Sequence, residues 1–384
     1  MSELMQTMRS NQKTVEKKRE RARHISQGSL LLVGGMLWVV SGGWVQAEPS
    51  PAPTQLPTGG QVVGGQASIS QQSAVMTIQQ QTNRAAIDWQ SFDIGSQARV
   101  TFQQPSLNSV ALNRVQGGNP SQIFGQLQAN GQVFLSNPHG IVFGPSAHVE
   151  VGGLVATTHS LSLEDFMAGR DRFTREGATG TVVNEGELKA ALGGYIALLA
   201  PEVRNEGVIV ADMGTVALAA GEAYELHFDQ GRQLTTLIVE PATIETLVDN
   251  QQAILAPGGL IILSAHAADQ LQGSVVKNDG IVNANSLVTR GGRIVLEGEN
   301  LTQQGILTAA GDTDGGEITL AARDIAYVDG LVDVSGTKAT GGTITVQAGK
   351  LEGMKSATFR ANGEQGGVIH LEGQGTVGLS STVN

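Results

Sequence analysis

Residues Asn108 to Thr157 read NSVALNRVQGGNPSQIFGQLQANGQVFLSNPHGIVFGPSAHVEVGGLVAT. Short runs of β-forming residues (SVALNRV, QVFL, GIVFG, HVEV) are separated by the turn sequences GGNP, ANG, SNPHG and GPSA. β-Branched and aromatic residues suit a pleated, half-buried surface, while Gly, Pro and Asn supply the backbone angles of tight turns. The stretch therefore predicts a succession of short strands. One interruption, Pro120-Ser121-Gln122-Ile123-Phe124, predicts a single helical turn opened by a proline. The sharpest motif is Asn137-Pro138-His139-Gly140-Ile141. Asn and Pro initiate a turn, Gly140 permits a positive φ, and an apolar strand follows at once.

The same texture extends in both directions. Upstream, Gln61-Val62-Val63, Ser68-Ile69-Ser70, Val75-Met76-Thr77-Ile78, Ala86-Ile87-Asp88-Trp89 and Val100-Thr101-Phe102 read as strands. Aromatics make up only 4% of the chain, so Trp89 and Phe92 are expected to cap the apolar core. Downstream the text repeats. Asn184-Glu185-Gly186 returns as Asn205-Glu206-Gly207 after 21 residues, and Asp279-Gly280, Gln304-Gly305 and Asp329-Gly330 follow at steps of 25. A second ladder, Gly291-Gly292, Gly315-Gly316, Gly341-Gly342 and Gly366-Gly367, leads each time into a strand: RIVLE, EITLA, TITVQ, VIHLE. A repeat of 20 to 26 residues with two or three short strands per unit is the signature of a β-solenoid. A leucine-rich repeat has a similar length, but its L-x-x-L-x-L-x-x-N frame is missing and the strands are rich in Ile, Val and Thr. The expected fold is all-β, a right-handed parallel β-helix with small extra-helical β-hairpins and short helices. Asn184, Asn205, Asn278 and Asn283 recur at coil corners, where stacked amides can hydrogen-bond from coil to coil.

Two segments break the pattern. Leu161 to Glu176 is charged, with a helix start at Ser162-Leu163-Glu164-Asp165, and reads as an excursion from the solenoid side. Tyr224 to Gln251 reads as a hairpin around Asp229-Gln230-Gly231, followed by a short helix from Thr243 to Asn250. Residues 222–257 are thus expected to form an extra-helical insertion, with β-helix repeats over 258–384. Insertions in solenoids often form binding faces.

The first 47 residues form a targeting segment. A basic cluster, Lys13 to Arg23, precedes an apolar run from Ser29 to Val40 and an A-x-A-like cleavage site at Val45-Gln46-Ala47. The apolar run is shorter than the roughly 20 residues a spanning helix needs, so cleavage after Ala47 is expected over anchoring. No second long apolar stretch follows, and no transmembrane helix is expected after the signal. Residues 48–60 form a proline-rich leader, expected to be poorly ordered. Loss of the signal removes 7 Lys/Arg and 3 Asp/Glu from a chain of net charge −11, leaving about −15. That balance disfavours nucleic acid as a partner. The chain has no Cys, which excludes disulfides and thiolate metal sites.

Catalytic signatures are sparse. The histidines (His24, His139, His148, His159, His227, His266 and His370) show no HExxH or paired spacing, and no P-loop, GxSxG or strand-linked GxGxxG occurs. Asp312, Asp314 and Glu317, with Asp329 and Asp333, invite comparison with β-helix glycosidases, which need two carboxylates facing across a cleft. At solenoid corners such carboxylates are expected to be turn residues. No enzyme activity, metal or cofactor is expected.

The run AIDWQSFDIG, VALNRV and SQIFGQLQANGQVFLSNPHGIVFG, continued by GYIALLAPEVRNEGVIVADMGTVALAAG, resembles the amino-terminal secretion domain of the filamentous-haemagglutinin family, the exoproteins of bacterial two-partner secretion. The resemblance begins near Gly60 and is densest from Ala86 to Thr157. His139 stands where members commonly carry Asn, and no Asn-Pro-Asn-Leu motif occurs upstream, which points towards the high-molecular-weight adhesin branch. The resemblance implies a secretion domain over 61–221, recognised in the periplasm of a Gram-negative bacterium by a partner transporter of the outer membrane. It further implies Sec export, then release to the cell surface or medium. Asn113, Arg114, Asn137, Pro138, His139, Gly140 and Ile141 match its best motifs and are the expected secretion-motif residues. An adhesin or haemagglutinin acting on a cell-surface glycan or protein is the expected whole. A carbohydrate-active enzyme and the front of a contact-dependent toxin carrier are the alternatives. The end at Ser380–Asn384 carries no capping element, so the chain is expected to be the front of a longer exoprotein.

Overall fold

The computed structural model describes residues 50–373 except 230, 232, 269–272, 287–289 and 354–355, together with the backbone of 382–383. The signal, its cleavage site after Ala47 and residues 374–381 and 384 lie outside the described residues. Most strands join one continuous sheet wound as a parallel β-helix, as the repeats predicted. Each coil contributes strands to three faces. The amino end is finished by antiparallel pairings, Ala67–Gln72 with Val75–Gln80 and Gln61–Gly64 with Arg84–Trp89.

Alternate residues point inward and stack in register. On the first face a column runs from Met76 through Leu127, Leu188 and Ile254 to Leu307 and Phe359. On the second it includes Leu135, Leu198, Leu263 and Leu320, and on the third Ile141, Val182, Val248 and Leu301. These side chains are buried in one core. No coil can hide its apolar side alone, so each neighbour, stacked at about 4.8 Å, supplies the missing contacts. Each aliphatic side chain so buried contributes about 1.5–3 kcal/mol. Where the chain enters the second face, Gly194, Gly214, Gly259, Gly292, Gly316, Gly342 and Gly367 form a column. A Cβ on any of them would overlap the carbonyl oxygen of the glycine one coil earlier. The glycine ladder in the sequence is therefore a close backbone contact repeated along the solenoid.

Asn184, Asn205, Asn250, Asn278 and Gln303 form a buried amide column on the third face. Each Asn Nδ2 donates to the next side-chain oxygen at 2.7–2.8 Å. Asn283 is not part of it; its Oδ1 accepts from the Asn285 amide.

Three local expectations are corrected. Ser121–Ile123 is a strand paired with Ile141–Phe143, not a helical turn. Pro120 lacks an N–H and stands just before the strand, where none is missed. Thr246–Asn250 is a strand between Glu202–Asn205 and Ser274–Asn278, not a helix, because register and the Asn250 amide outweigh local propensity. The chain is thus back in the ladder from Thr246, and Ala253–Leu255 also belongs to a coil rather than to an insertion. The leader is ordered from Ser50. Leu56 is buried, and the Gly95 and Gln97 amides donate to the Gln55 and Pro53 carbonyls.

The first excursion is as read, and the second keeps its hairpin but not its helix. Ser162 caps a short helix, Leu163–Ala168, by accepting from the Asp165 amide. Ala223–Phe228 and Leu234–Glu240 form an antiparallel hairpin, and Arg172–Thr174 adds a third strand. Helix and sheet lie on the outer side of the second face, where Phe166, Phe173, Tyr224 and Leu234 pack on Leu112, Phe134, Val155 and Ala197. Here the strands are buried on both sides, which explains their unbroken apolar text (QVFL, GLVAT, YIALL). In later coils the outer side is bare and the text alternates, as in EITLA and TITVQ.

Candidate functional site

The motif residues gather at the corner between the second and third faces in the first three coils. Asn113 points inward from Val110–Val115 and is fully buried. Its Oδ1 accepts from Trp89 Nε1 at 3.0 Å, and its Nδ2 faces the Ala111 and Phe134 carbonyls. Trp89 thus lies within the core rather than over its end, edge-to-face with Phe92 at 5.5 Å. Arg114 points outward and forks onto the Asp88 carboxylate, at 2.7 Å through Nε and 3.0 Å through Nη2. The two residues are in direct register, so the pair joins adjacent coils.

Asn137 follows the strand Gln132–Ser136 and is fully buried at the corner. Its Nδ2 donates to the Asn119 carbonyl and to Ser121 Oγ, both at 3.0 Å, and its Oδ1 accepts from the His139 amide. Its own amide donates to the Thr157 carbonyl in the next coil, and its carbonyl accepts from the Gly140 amide. One side chain therefore fixes the turn and ties it to the coil before, while its backbone ties it to the coil after. Gly140 has φ +120, an angle that side chains rarely adopt, and Gly180 packs closely against the turn. Ile141 is buried in the core, Pro138 is half-buried and His139 is exposed. The structure brings all seven expected residues to one corner, yet leaves only Pro138, His139 and the outer side of Arg114 open to solvent.

Several participants escaped the sequence reading. Ser136 Oγ donates to the His159 carbonyl at 2.7 Å. His159 is buried, with Nε2 donating to the Gly221 carbonyl at 3.1 Å and its ring 4.6 Å from that of Tyr224. Burial pushes its pKa down to about 4, although the Gly221 carbonyl favours the proton. Burial likewise raises the Tyr224 hydroxyl. Asp93 is raised by burial, although the Gln122 amide and Ser91 donate to it. The fixed spacing of Asp88 and Arg114, 26 residues, about one coil, was the signal that could have exposed their pair.

The carboxylates weighed for catalysis are tied into coil-to-coil bonds. Asp314 accepts from the Thr340 amide and hydroxyl, and Asp329 from those of Ser356. Asp312 meets Lys338 at 2.6 Å. Among the described residues, no group of three or more His, Asp or Glu side chains could hold a metal ion, and no helix is long and apolar enough to cross a membrane.

Residues 54–312 match the family model described as the TPS secretion domain. A heme/hemopexin-binding protein of Haemophilus influenzae strain KW20 Rd is 38% identical over 253 residues, covering 64% of this chain and 28% of that protein. A second protein of that name from Haemophilus influenzae is 33% identical over 247 residues, covering 59% and 26%. This chain thus matches about a quarter of the length of these relatives. The crystal structure of the HMW1 secretion domain from Haemophilus influenzae aligns with a TM-score of 0.71 at 24% identity, over 85% of this chain and 98% of that one. It shows the shared fold.

Proposed function

Because this chain belongs to the TPS secretion domain family of two-partner secretion exoproteins, we propose that the Asn113–Ile141 corner is its secretion-competence element. Members of the family leave the cell through Sec and an outer-membrane transporter, and the domain interacts with that transporter. For this chain we assign residues 1–47 as the signal, cleaved after Ala47, and the coils that follow as the part the transporter engages in the periplasm. The observation that carries the reading is the buried Asn137, whose side chain makes three hydrogen bonds inside a family-matching stretch. Its role is to build the corner. Contact with the transporter then falls to the exposed surface at Pro138, His139 and Arg114.

The protein this domain exports is proposed to be a non-enzymatic binding protein of the cell surface or medium. An adhesin fits the family, and a heme/hemopexin-binding role is favoured by the 38% identity to a protein of that name. The test is secretion of the chain with and without its transporter, beside Asn137→Ala and His139→Ala. Transporter-dependent release, reduced in the folded His139→Ala variant, supports contact at the corner. Release that does not depend on a transporter overturns the reading.

A further inference from the structure

We propose that the extra-helical cover is a clasp that opens and closes as one unit while the solenoid behind it stays wound. The cover comes from two places in the chain, residues 158–180 and 221–240. Its parts are joined to each other by backbone hydrogen bonding, Arg172–Thr174 with Ala223–Phe228 and the latter with Leu234–Glu240. This three-stranded sheet is separate from the ladder of the solenoid. The solenoid strands, by contrast, are bonded to the coil before and the coil after, so unwinding any one of them breaks two ladders.

The cover holds to the solenoid through side chains. Phe166, Phe173, Tyr224 and Leu234 rest on Phe134, Val155, Ala197 and Ala217. Its polar anchors are separate side-chain contacts rather than a backbone ladder. Arg84 pairs with Asp171 and lies 4.3 Å over the Phe166 ring. Ser136 Oγ donates to the His159 carbonyl, the Tyr224 hydroxyl lies 3.2 Å from the Ala200 and Ala219 carbonyls, and Thr215 Oγ1 donates to the Leu234 carbonyl at 2.6 Å. Sub-global openings follow contiguous cooperative units that often coincide with supersecondary motifs, and this three-stranded sheet is one such motif.

The margins are built to turn. Glu176 and Gly177 both have positive φ, 48 and 83, where the first segment returns to the solenoid. On the other side Ala242 is bridged to Ala267 in the ladder, which leaves the hinge between Glu240 and Ala242. The clasp reaches from the first coil, at Arg84, to the sixth, at Ala217, so closure needs the chain through Glu240. Opening bares an apolar outer face at Leu112, Phe134, Val155, Ala197 and Ala217, which the ladder alone does not protect.

Native-state hydrogen exchange on the full chain tests this. Amides of Arg172–Thr174, Leu226–Phe228 and Leu234–Glu240 are expected to share one opening rate and one denaturant dependence. They should exchange at least ten-fold faster than Ile294–Leu296 and Ile318–Leu320. Asp171→Asn, which removes the ion pair with Arg84, should accelerate all three cover strands together and leave the two reference strands unchanged. The proposal is overturned if cover and solenoid exchange at the same rate in the wild-type chain. It is equally overturned if Asp171→Asn accelerates Arg172–Thr174 while Leu234–Glu240 keeps its rate. Neither readout involves the transporter, so the outcome is independent of the secretion assay.

Discussion

Asn137 Nδ2 donates to Ser121 Oγ at 3.0 Å across the step from one coil to the next. The bond joins the first residue of the NPHG turn to the first residue of a third-face strand. Asn137→Ala leaves the buried Ser121 hydroxyl and the part-buried Asn119 carbonyl and His139 amide without this partner. Losing buried hydrogen bonds of this kind costs about 1–3 kcal/mol. A denaturant midpoint lowered accordingly is expected. Asn137→Asp should be at least as costly, because a carboxylate cannot donate to the Asn119 carbonyl. An unchanged midpoint in both variants would show that the side chain does not brace the corner.

The fold was legible because its determinants are periodic. Gly291-Gly292, Gly315-Gly316 and Gly341-Gly342 recur at the coil length, and the strands after them alternate, so architecture followed from spacing. Ser121–Ile123 and Thr246–Asn250 were misread because three to five residues carry too little pattern to outweigh proline or helix-start cues. Their strand state is imposed by neighbours 20 to 45 residues away. The motif residues were found by resemblance, but their burial was not legible. Nothing in Asn113 or Asn137 itself tells that Trp89 Nε1 and Ser121 Oγ would meet them inside. Asn250 is equally hidden, because its partners Asn205 and Asn278 lie 45 and 28 residues away.

The amide column makes a graded prediction. Asn250 accepts from Asn205 and donates to Asn278 and to the Gln252 carbonyl. Asn184, at the column's start, donates to Asn205 and accepts from the Gly186 amide. Replacing a middle member unpairs side chains on both sides, so Asn250→Ala should cost about 2–3 kcal/mol and Asn184→Ala about 1 kcal/mol. Urea denaturation of the two variants measures the order. The reverse order would mean that the column is not a cooperative unit.

His159 sets a pH dependence. Its folded pKa is about 4 against an ordinary 6.5, because burial opposes the charged ring. Between those values the unfolded chain binds the proton and the folded chain does not. The contribution to stability is therefore complete above about pH 6.5 and is lost as pH falls towards 4. At 1.36 kcal/mol per unit, the loss is about 3 kcal/mol. The difference in unfolding free energy between the wild-type chain and His159→Gln, followed from pH 7.5 to 4, isolates this residue from the other titrating groups. The gap should narrow or reverse on acidification. A gap that is flat over this range would mean that the imidazole is not held neutral.

The glycine column can be tested against a glycine that lacks its constraint. A Cβ at Gly316 would overlap the Gly292 carbonyl oxygen, a backbone atom that cannot move without displacing its coil. At Gly118, in the exposed GGNP turn, nothing lies within 4 Å of the same added carbon. Gly316→Ala is therefore expected to cost about 1–3 kcal/mol through forced backbone shifts. Gly118→Ala should be neutral, or stabilising by up to about 1 kcal/mol, because alanine narrows the unfolded ensemble. Thermal unfolding of both variants decides the matter. Equal, small effects would mean that the coils have room for a methyl group and that the ladder reflects turn preference alone. A loss confined to Gly316→Ala would fix the spacing of the coils as the reason for the repeat.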